Sequence, residues 1–357
     1  MRRPLILAAT LLAAPAFAQD RALTVISWGG DFAAMQDRAM ARPFAERTGT
    51  AVRFVDTDDP AGMIKLQVEA GNVTADVASV GQGAGLRLCE EGDAQPIDPA
   101  ILVPPASGTV ADDFLPRTLS ECFVATDIYS TVIAYDADRL AAAPTSAADF
   151  FDLERFPGRR GLGRTPQFTM ELALVGDGVP LDQVYDVLAT PAGVERALAR
   201  LDTIRDQIVW WEAGAQPIQL VADGEVAMTH AYNGRVFKAA QVDGLPLAIL
   251  WDAQMLEVEG WVIPSGAPNP DAARAFVSFS TSPEVLARAA EILPYGPPRA
   301  SAQAMVGEYA GDGVTQMGPH LPTSAQNMTN ALFVDPEFWA DHEPQLRERF
   351  TAWLGNE

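Results

Sequence analysis

The sequence predicts a two-domain α/β protein, and three observations support this fold class. Segments with strand character alternate with amphipathic helical segments, the order expected for mostly parallel sheets flanked by helices. About 340 residues remain after a predicted signal peptide, more than one hydrophobic core usually serves. No internal repeat or low-complexity linker separates the two halves of the sequence. We therefore expect two lobes joined by crossing strands, with a ligand cleft between them.

Residues 1–18 have the features of a secretory signal peptide. Arg2 and Arg3 precede an apolar stretch, and AFA at residues 16–18 is a small-x-small cleavage site. The apolar stretch is shorter than the roughly 18 residues that a permanent membrane anchor needs. The sequence thus predicts an exported protein that begins near Gln19 and resides in the periplasm.

The first elements follow each other closely. LTVISW predicts a strand, and FAAMQDRAMARPFAERTG predicts a helix with a kink at Pro43 and an end at Gly49. Strand, helix and strand are then predicted by AVRFVDT, MIKLQVEAG and ADVASVG. Further along, TVIAYD predicts a strand, and PEVLARAAEIL and EPQLRERFTAWL predict helices. This alternation is the basis of the α/β prediction.

The charge of the chain restricts its partners. The formal net charge is -22, and removal of Arg2 and Arg3 with the signal peptide makes it -24. Such a surface repels nucleic acid and anionic lipid and favours cations. We expect no nucleic-acid partner and no membrane-surface partner.

Two cysteines, Cys89 and Cys122, are the only ones in the sequence. An isolated pair in an oxidising compartment is a disulfide candidate, and two free buried thiols are the alternative. Their spacing is not the Cys-x-x-Cys of a redox or zinc site.

Common catalytic motifs are missing from the sequence. It has no G-x-S-x-G, no H-E-x-x-H and no Walker A motif, and His230, His320 and His342 are scattered. VGQGAG, residues 80–85, predicts a loop at a strand end, where ligands of open α/β sheets bind. We expect no cofactor and no metal.

Seven segments carry a resemblance that covers essentially the whole mature chain. They are ISWGGDF, PFAERTG, ADVASVGQGAG, EEGDAQPID, DGEVAMTHAYNGR, EGWVIPSGAPN and PYGPPR. In this order they resemble the solute-binding proteins of spermidine/putrescine ABC importers. The resemblance implies the type II periplasmic-binding-protein fold and a receptor without enzymatic activity. Such a receptor, expected as a monomer, delivers a small cationic solute to a permease in the inner membrane.

The expected lobes are discontinuous. Residues 19–131 and 259–303 form the first lobe, and residues 132–258 and 304–357 form the second. The chain then crosses between the lobes near Thr131 and Val258. We expect these crossings to lie beside the ligand and the lobes to close on it.

The ligand-binding residues are predicted mainly from the resemblance. In EVEGWVIP, the alternation of a strand places Glu257 and Glu259 on one face, and Glu259 resembles an amine-binding aspartate of the family. Two like charges on one face repel, so a cation between them explains their placement. Aromatic rings would pack against the methylene chain of a polyamine. The full predicted set is Trp28, Gly29, Asp31, Glu171, Trp211, Tyr232, Arg235, Glu257, Glu259 and Tyr295.

Three alternatives stay open. If Arg235 points into the cleft, it disfavours a pure diamine and suits a ligand with a carboxylate, such as an amino acid or an opine. Glu257 and Glu259 are also compatible with the acid/base pair of a secreted glycoside hydrolase. A ferric-ion receptor of this architecture would need adjacent tyrosines, and the chain has no Tyr-Tyr pair.

Overall fold

The structure is a computed structural model that describes residues 22–355. The predicted signal peptide, residues 1–18, lies outside the described residues. Among those described, no helix is both long enough and apolar enough to cross a membrane.

The strands of the described chain form one mixed sheet. They are β1 (Leu23–Ser27), β2 (Val52–Asp56), β3 (Val77–Gly81), β4 (Val124–Asp136), β5 (Arg160–Gly163), β6 (Ile208–Trp211), β7 (Met228–Tyr232), β8 (Leu247–Val262) and β9 (Ala331–Phe333).

Helices flank this sheet. They are α1 (Gly30–Gln36), α2 (Arg42–Thr48), α3 (Pro60–Glu69), α4 (Gln82–Glu90), α5 (Val110–Asp113), α6 (Pro166–Gly176), α7 (Val184–Leu188), α8 (Pro191–Asp202), α9 (Gln216–Ala222), α10 (Asn233–Phe237), α11 (Pro270–Ser280), α12 (Pro283–Ile292), α13 (Ala300–Gln303) and α14 (Pro336–Leu354).

Two long strands hold the sheet together. The strand order is β2-β1-β3-β8-β4-β7-β5-β6, with β9 beside β8. Strands β1, β2 and β3 are parallel at one end of the sheet, and β5 is parallel to β6 and β7 at the other. Between these groups, β4 and β8 run antiparallel over 13 and 16 residues. The sheet is therefore mixed and mostly parallel, as predicted.

Separate hydrophobic cores lie on the two groups of strands. One core contains Leu23, Trp261 and Phe276, and another contains Phe150 and Phe350. Strands β4 and β8 contribute residues to both cores, which makes them the covalent connection between two packed units. The residue bounds of the two lobes stay a prediction.

The first helix differs from its prediction in one respect. Gly49 ends α2 in the left-handed conformation, with φ of 78°, as the sequence predicts. Before Pro43, however, a π-helical turn at Asp37–Ala41 joins α1 to α2. A wider turn leaves room for proline, which lacks the N–H of a regular helix.

The segment VGQGAG is not a loop. Its residues end β3 and begin α4. A Cβ at Gly83 would lie 2.8 Å from Pro336, and one at Gly85 would lie 2.6 Å from the Phe123 ring. These glycines therefore allow close packing of a helix, whereas the sequence predicted a loop at the strand end.

Cys89 and Cys122 are joined by a disulfide, as predicted. The bond links the end of α4 to the segment before β4. Its closed loop of about 33 residues stabilises the fold by on the order of 4 kcal/mol in the chain-entropy model.

Candidate functional site

The central strands β4 and β8 present four polar side chains on one face. In the antiparallel register, Asp127 lies opposite Glu259 and Tyr129 lies opposite Glu257. Residues two apart on a strand share a face, and opposing residues have Cβ atoms roughly 4.5–5.5 Å apart. We call these four residues the acidic patch.

A β-bulge sets the composition of the acidic patch. The register pairs Ala125 with Gly260 and then Asp127 with Glu259, so Thr126 is one extra residue on β4. Bulges re-aim the side chains that follow them. Without this bulge, Thr126 would lie opposite Glu259. The bulge therefore places one carboxyl group directly opposite another.

Glu259 is only 5% exposed and is held by neutral donors. Its Oε1 accepts from Trp28 Nε1 at 2.6 Å and from Ser79 Oγ at 3.2 Å. Gln36 Nε2 donates to the same serine hydroxyl at 3.2 Å, which orients it. Within residues 22–355, the side-chain hydrogen bonds to Glu259 all use Oε1, so Oε2 is open to a further donor.

The second glutamate of the acidic patch is half-buried. Tyr129 lies opposite Glu257 on β4, and Gln167 Nε2 donates to Glu257 Oε1 at 3.4 Å. Gln167 lies in the first turn of α6, where the backbone is not helical.

Burial disfavours ionisation throughout the acidic patch. It raises the pKa of Asp127 and of Glu257 to about 7. Burial, and then the negative charge of Asp127, raise the pKa of Glu259 well above its usual value; the hydrogen bonds from Trp28 and Ser79 offset part of this rise. In the described part of the chain, no basic side chain forms an ion pair with any of the three. The acidic patch thus lacks a counter-charge.

Aromatic rings form a wall beside the acidic patch. The Tyr129 ring centroid lies 5.6 Å from that of Tyr295 and 6.0 Å from that of Tyr232. Phe32 extends the wall at 6.2 Å from Tyr295, and Trp211 extends it at 6.4 Å from Tyr232. Trp211 is buried, and its Nε1 has no partner among the described residues. Such a wall can pack against methylene groups.

Phe32 and Tyr295 of this wall line a cleft of about 940 Å³, together with Trp28 and Arg235. The carboxyl group of Glu259 is in contact with Trp28, which donates to it. Arg235 is exposed and faces the cleft. Burial raises the pKa of Tyr232 and Tyr295, and the positive charge of Arg235 lowers both. Arg235 is therefore close to the aromatic wall.

The turn after β1 depends on its glycines. Gly29 and Gly30 have φ of 78° and 59°, and a Cβ at Gly29 would lie 3.1 Å from Asp56 Oδ2. The turn puts Trp28 at the cleft and begins α1. Asp31 forms an exposed ion pair with Lys238 at 2.8 Å, so its charge already has a partner.

Glu171 is located apart from the acidic patch. It is fully buried, and its Oε1 accepts from Trp339 Nε1 at 2.7 Å and from the Tyr185 hydroxyl at 3.4 Å. Burial raises its pKa to about 7. These contacts join α6, α7 and α14, and they do not support the predicted contact of Glu171 with a ligand.

Sequence reasoning missed Asp127, Tyr129 and Ser79. The available signal was Asp127 itself, since an acid in the middle of the apolar strand VATDIYSTVIAYD is unusual. Its partner is 132 residues away in the sequence, and no local pattern shows that pairing.

The chain belongs to the bacterial extracellular solute-binding protein family, whose model matches residues 39–323. It is 42% identical over 341 residues to the gamma-aminobutyric acid (GABA)-binding protein of Pseudomonas aeruginosa. That match covers 96% of this chain and 93% of the relative.

Solved structures agree with this assignment. The periplasmic binding protein MotA of A. tumefaciens B6, in complex with glucopine, has 30% identity and a TM-score of 0.76. That match covers 93% of this chain and 99% of the other. The Atu4243 GABA receptor has 30% identity and a TM-score of 0.78, and the match covers 93% and 97% of the two chains.

These comparisons bear on the predicted fold, on the hydrolase alternative and on the class of ligand. The two-lobed periplasmic-binding-protein fold is confirmed. The family and the relatives are binding proteins, which leaves the glycoside hydrolase without support. The polyamine ligand is not supported either, because the names of the relatives favour the carboxylate-bearing alternative.

Proposed function

We propose that this member of the solute-binding protein family is the periplasmic receptor of an ABC importer for GABA or a similar ω-amino acid. Such a ligand has an ammonium group and a carboxylate separated by a short methylene chain. A GABA-binding protein is 42% identical to this chain, and a GABA receptor shares its fold.

One observation carries the proposal: groups of opposite charge lie at one cleft. Arg235 lines this cleft together with Tyr295 and Trp28, and Trp28 Nε1 donates to Glu259 at 2.6 Å. The pKa of Tyr295 is consistent with this arrangement, because burial and Asp127 raise it and Arg235 lowers it. A zwitterion with a short spacer can contact both groups along the ring.

The ammonium group binds at the acidic patch in this proposal. Glu259 Oε2 is open, and Glu257 lies two residues away on the same face. An ammonium donates charge-assisted hydrogen bonds of about 2.7–2.9 Å to carboxylates, roughly twice as strong as neutral ones. It also supplies the counter-charge that the acidic patch lacks.

The carboxylate binds Arg235. A guanidinium offers two parallel N–H donors that match the two oxygens of a carboxylate. A polyamine would place a second cation near this guanidinium, which costs free energy through like-charge repulsion. Arg235 therefore selects an amino acid over a diamine of similar length.

The methylene chain lies on the aromatic wall. Tyr295 lines the cleft with Arg235, and the Tyr129 ring packs between Tyr295 and Tyr232 at centroid distances of 5.6 and 6.0 Å. Burying each CH₂ group stabilises the complex by about 0.8 kcal/mol. Rings with few rotatable bonds lose little entropy when they order around a ligand.

Export and delivery complete the proposed role. The predicted signal peptide takes the chain to the periplasm, and the closed receptor docks on an inner-membrane permease. Closure occurs by hinge motion at β4 and β8, the long strands that contribute to both cores. The predicted crossings near Thr131 and Val258 lie within these strands.

Calorimetric titration tests the proposal with GABA, putrescine, butyrate and glucopine. We expect GABA to bind more tightly than butyrate, which lacks the amine, and than putrescine, which lacks the carboxylate. Glu259→Gln should weaken GABA binding by about 3–5 kcal/mol, two to three and a half decades in Kd. Arg235→Gln should weaken it by about 1.5–3 kcal/mol, the value of a hydrogen bond to a charged group.

Matched controls are Glu284→Gln and Arg196→Gln, which change exposed residues on α12 and α8. Both controls should bind GABA like the wild type. Tighter binding of putrescine than of GABA, with no effect of Arg235→Gln, would restore the polyamine assignment.

A further inference from the structure

Asp127 is a buried acid that the proposed function does not explain. It is 3% exposed, its Oδ2 accepts from Thr126 Oγ1 at 2.8 Å, and its Oδ1 has no hydrogen-bond partner among the described residues. A buried carboxylate oxygen without a partner loses the hydration that it would have in water. Its presence therefore calls for a proton or a ligand.

Glu259 on β8, which lies opposite Asp127, increases the need for a proton or a ligand at this carboxyl group. Asp127 faces Glu259 across the strand pair, and the bulge at Thr126 produces this pairing. Two carboxylates at this separation repel, and one of them keeps its proton when no cation lies between them. Among residues 22–355, Oδ1 of Asp127 has no hydrogen-bond partner, and the side-chain hydrogen bonds to Glu259 use Oε1 rather than Oε2.

Other groups around the pair do not supply the missing charge. Those that face it are Glu257 and Tyr129 on the strands, Tyr295 after α12, Tyr232 at the end of β7, Arg235 on α10, and the neutral donors Trp28 and Ser79. Arg235 is the cation of this set, and it acts on the tyrosines rather than on the two carboxyl groups.

We propose that Asp127 and Glu259 form one acid pair, which holds a shared proton in the empty receptor and exchanges it for the ammonium group of the ligand. The proposal rests on the proposed function, because it assigns the ammonium group to this end of the cleft. It adds Asp127 as a ligand-binding residue and makes binding depend on proton release.

The exchange conserves charge. One O–H bond of the pair breaks, and the proton passes to water or buffer. The N–H donors of the ammonium group then take its place between the two carboxylates. The pair has a net charge of -1 with the proton, and the pair plus ammonium has the same net charge. A ligand group without a positive charge cannot replace the proton, so the pair selects amines.

Infrared spectroscopy of the empty protein tests the pair directly. At neutral pH, the C=O band of protonated carboxyl groups should be stronger in the wild type than in Asp127→Asn by the intensity of one group, and GABA should remove this excess. Glu171 and Glu257, with pKa values raised to about 7, contribute to the band in both proteins. Asp127→Asn should lack the excess, because Glu259 then faces an amide donor instead of a like charge and keeps its donors Trp28 and Ser79. Asp136→Asn is the matched control on the same strand, since Asp136 is buried beside Arg139 at 3.2 Å. This variant should keep the excess.

Calorimetry in two buffers with different ionisation enthalpies measures the exchange. We expect release of about one proton per GABA bound near pH 7 by the wild type and by Asp136→Asn, and almost none by Asp127→Asn. Below the pKa of the pair, the affinity of the wild type for GABA should increase by up to tenfold for each unit that the pH is raised. The affinity of Asp127→Asn should change little over the same range. The wild-type measurements do not depend on the folding of any variant.

The outcomes separate this proposal from the proposed function. GABA binding without proton release, or the same infrared spectrum for the wild type and Asp127→Asn, would overturn the acid pair and leave the receptor assignment intact. If the band is weaker in Asp127→Asn by one group while neither GABA nor putrescine binds, the pair exists. In that case the amine exchange and the proposed function are both wrong.

Discussion

Two buried ionic groups in this molecule differ in how their charges are compensated. Arg299 is fully buried, and its Nε donates to Asp113 at 2.6 Å. The other two guanidinium nitrogens donate to the carbonyls of Thr281 and Val103, and Ser301 donates twice to Asp113. At the acidic patch, Asp127 and Glu259 are equally buried but have neutral donors and no cation.

The difference separates a structural role from a binding role. In the Arg299–Asp113 pair the protein satisfies both charges, so nothing is left for a ligand to contact. The pKa of Asp113 accordingly lies below its usual value: hydrogen bonds from Ser301 and Arg299, with the charge of Arg299, outweigh burial, which alone would raise it. In the acidic patch, under the proposed function, the ligand supplies the missing charge, and the unliganded protein is expected to be less stable for it.

The largest expected effect on stability is at the compensated pair. Arg299→Gln leaves Asp113 buried without its cation, which should destabilise the protein by about 3–5 kcal/mol. Urea unfolding measures this loss. Arg274→Gln, which breaks an exposed ion pair with Asp271, should change stability by less than about 1 kcal/mol. Equal losses in the two variants would contradict the comparison.

The two regions should also respond to pH with opposite sign. The folded-state pKa values of Asp127 and Glu257 are raised to about 7, so between about pH 4 and pH 7 the folded protein binds more protons than the unfolded chain. Stability of the ligand-free protein should therefore fall as pH rises through this range, by on the order of 3 kcal/mol for each carboxyl group.

Asp113 gives the opposite dependence, because its folded-state pKa is lowered. Its contribution is present above the unfolded-state pKa of about 3.9 and is lost as pH falls below it. Unfolding curves at a series of pH values measure both effects. The decrease toward pH 7 should be smaller in Asp127→Asn; an unchanged decrease would assign it to general repulsion in a chain of net charge -22.

Asp127→Asn should stabilise the ligand-free protein near pH 8 by about 1–3 kcal/mol. The substitution removes a buried charge and leaves an amide that can hydrogen-bond to Glu259. The urea midpoint checks this prediction, with Asp136→Asn as the control that should lose stability because Asp136 has the partner Arg139. A loss of stability in both variants would mean that Asp127 is structural.

The smallest expected effect is at the rim of the cleft. Lys238 and Asp31 form a pair whose side chains are 56% and 72% exposed. Solvent screening limits the value of such pairs to about 0–1 kcal/mol. Lys238→Met should therefore leave the thermal midpoint nearly unchanged, and a large shift would show that this contact helps to hold the lobes together.

The acidic patch shows how far the sequence reaches. The period of two in EVEGWVIP correctly placed Glu257 and Glu259 on one face. Asp127 was missed because the bulge at Thr126 and the register with a distant strand depend on tertiary pairing.

Glu171 is the opposite case to Asp127, because the sequence predicted it as a ligand-binding residue and the structure gives its carboxyl group two protein donors. The sequence TMELAL gives no sign that Trp339, 168 residues away, donates to this carboxyl group. Local patterns therefore predicted the elements and one strand face, whereas the contacts between distant elements decide which acids have partners.

A crystal structure of the complex with GABA tests the central claim most directly. We expect the ammonium nitrogen within about 2.7–3.0 Å of Glu259 and Asp127, with the ligand carboxylate on Arg235 and Trp28 displaced from Glu259. A ligand bound with its carboxylate toward β4 and β8, or with its ammonium group away from both acids, would contradict the claim that the uncompensated carboxyl groups are the amine site.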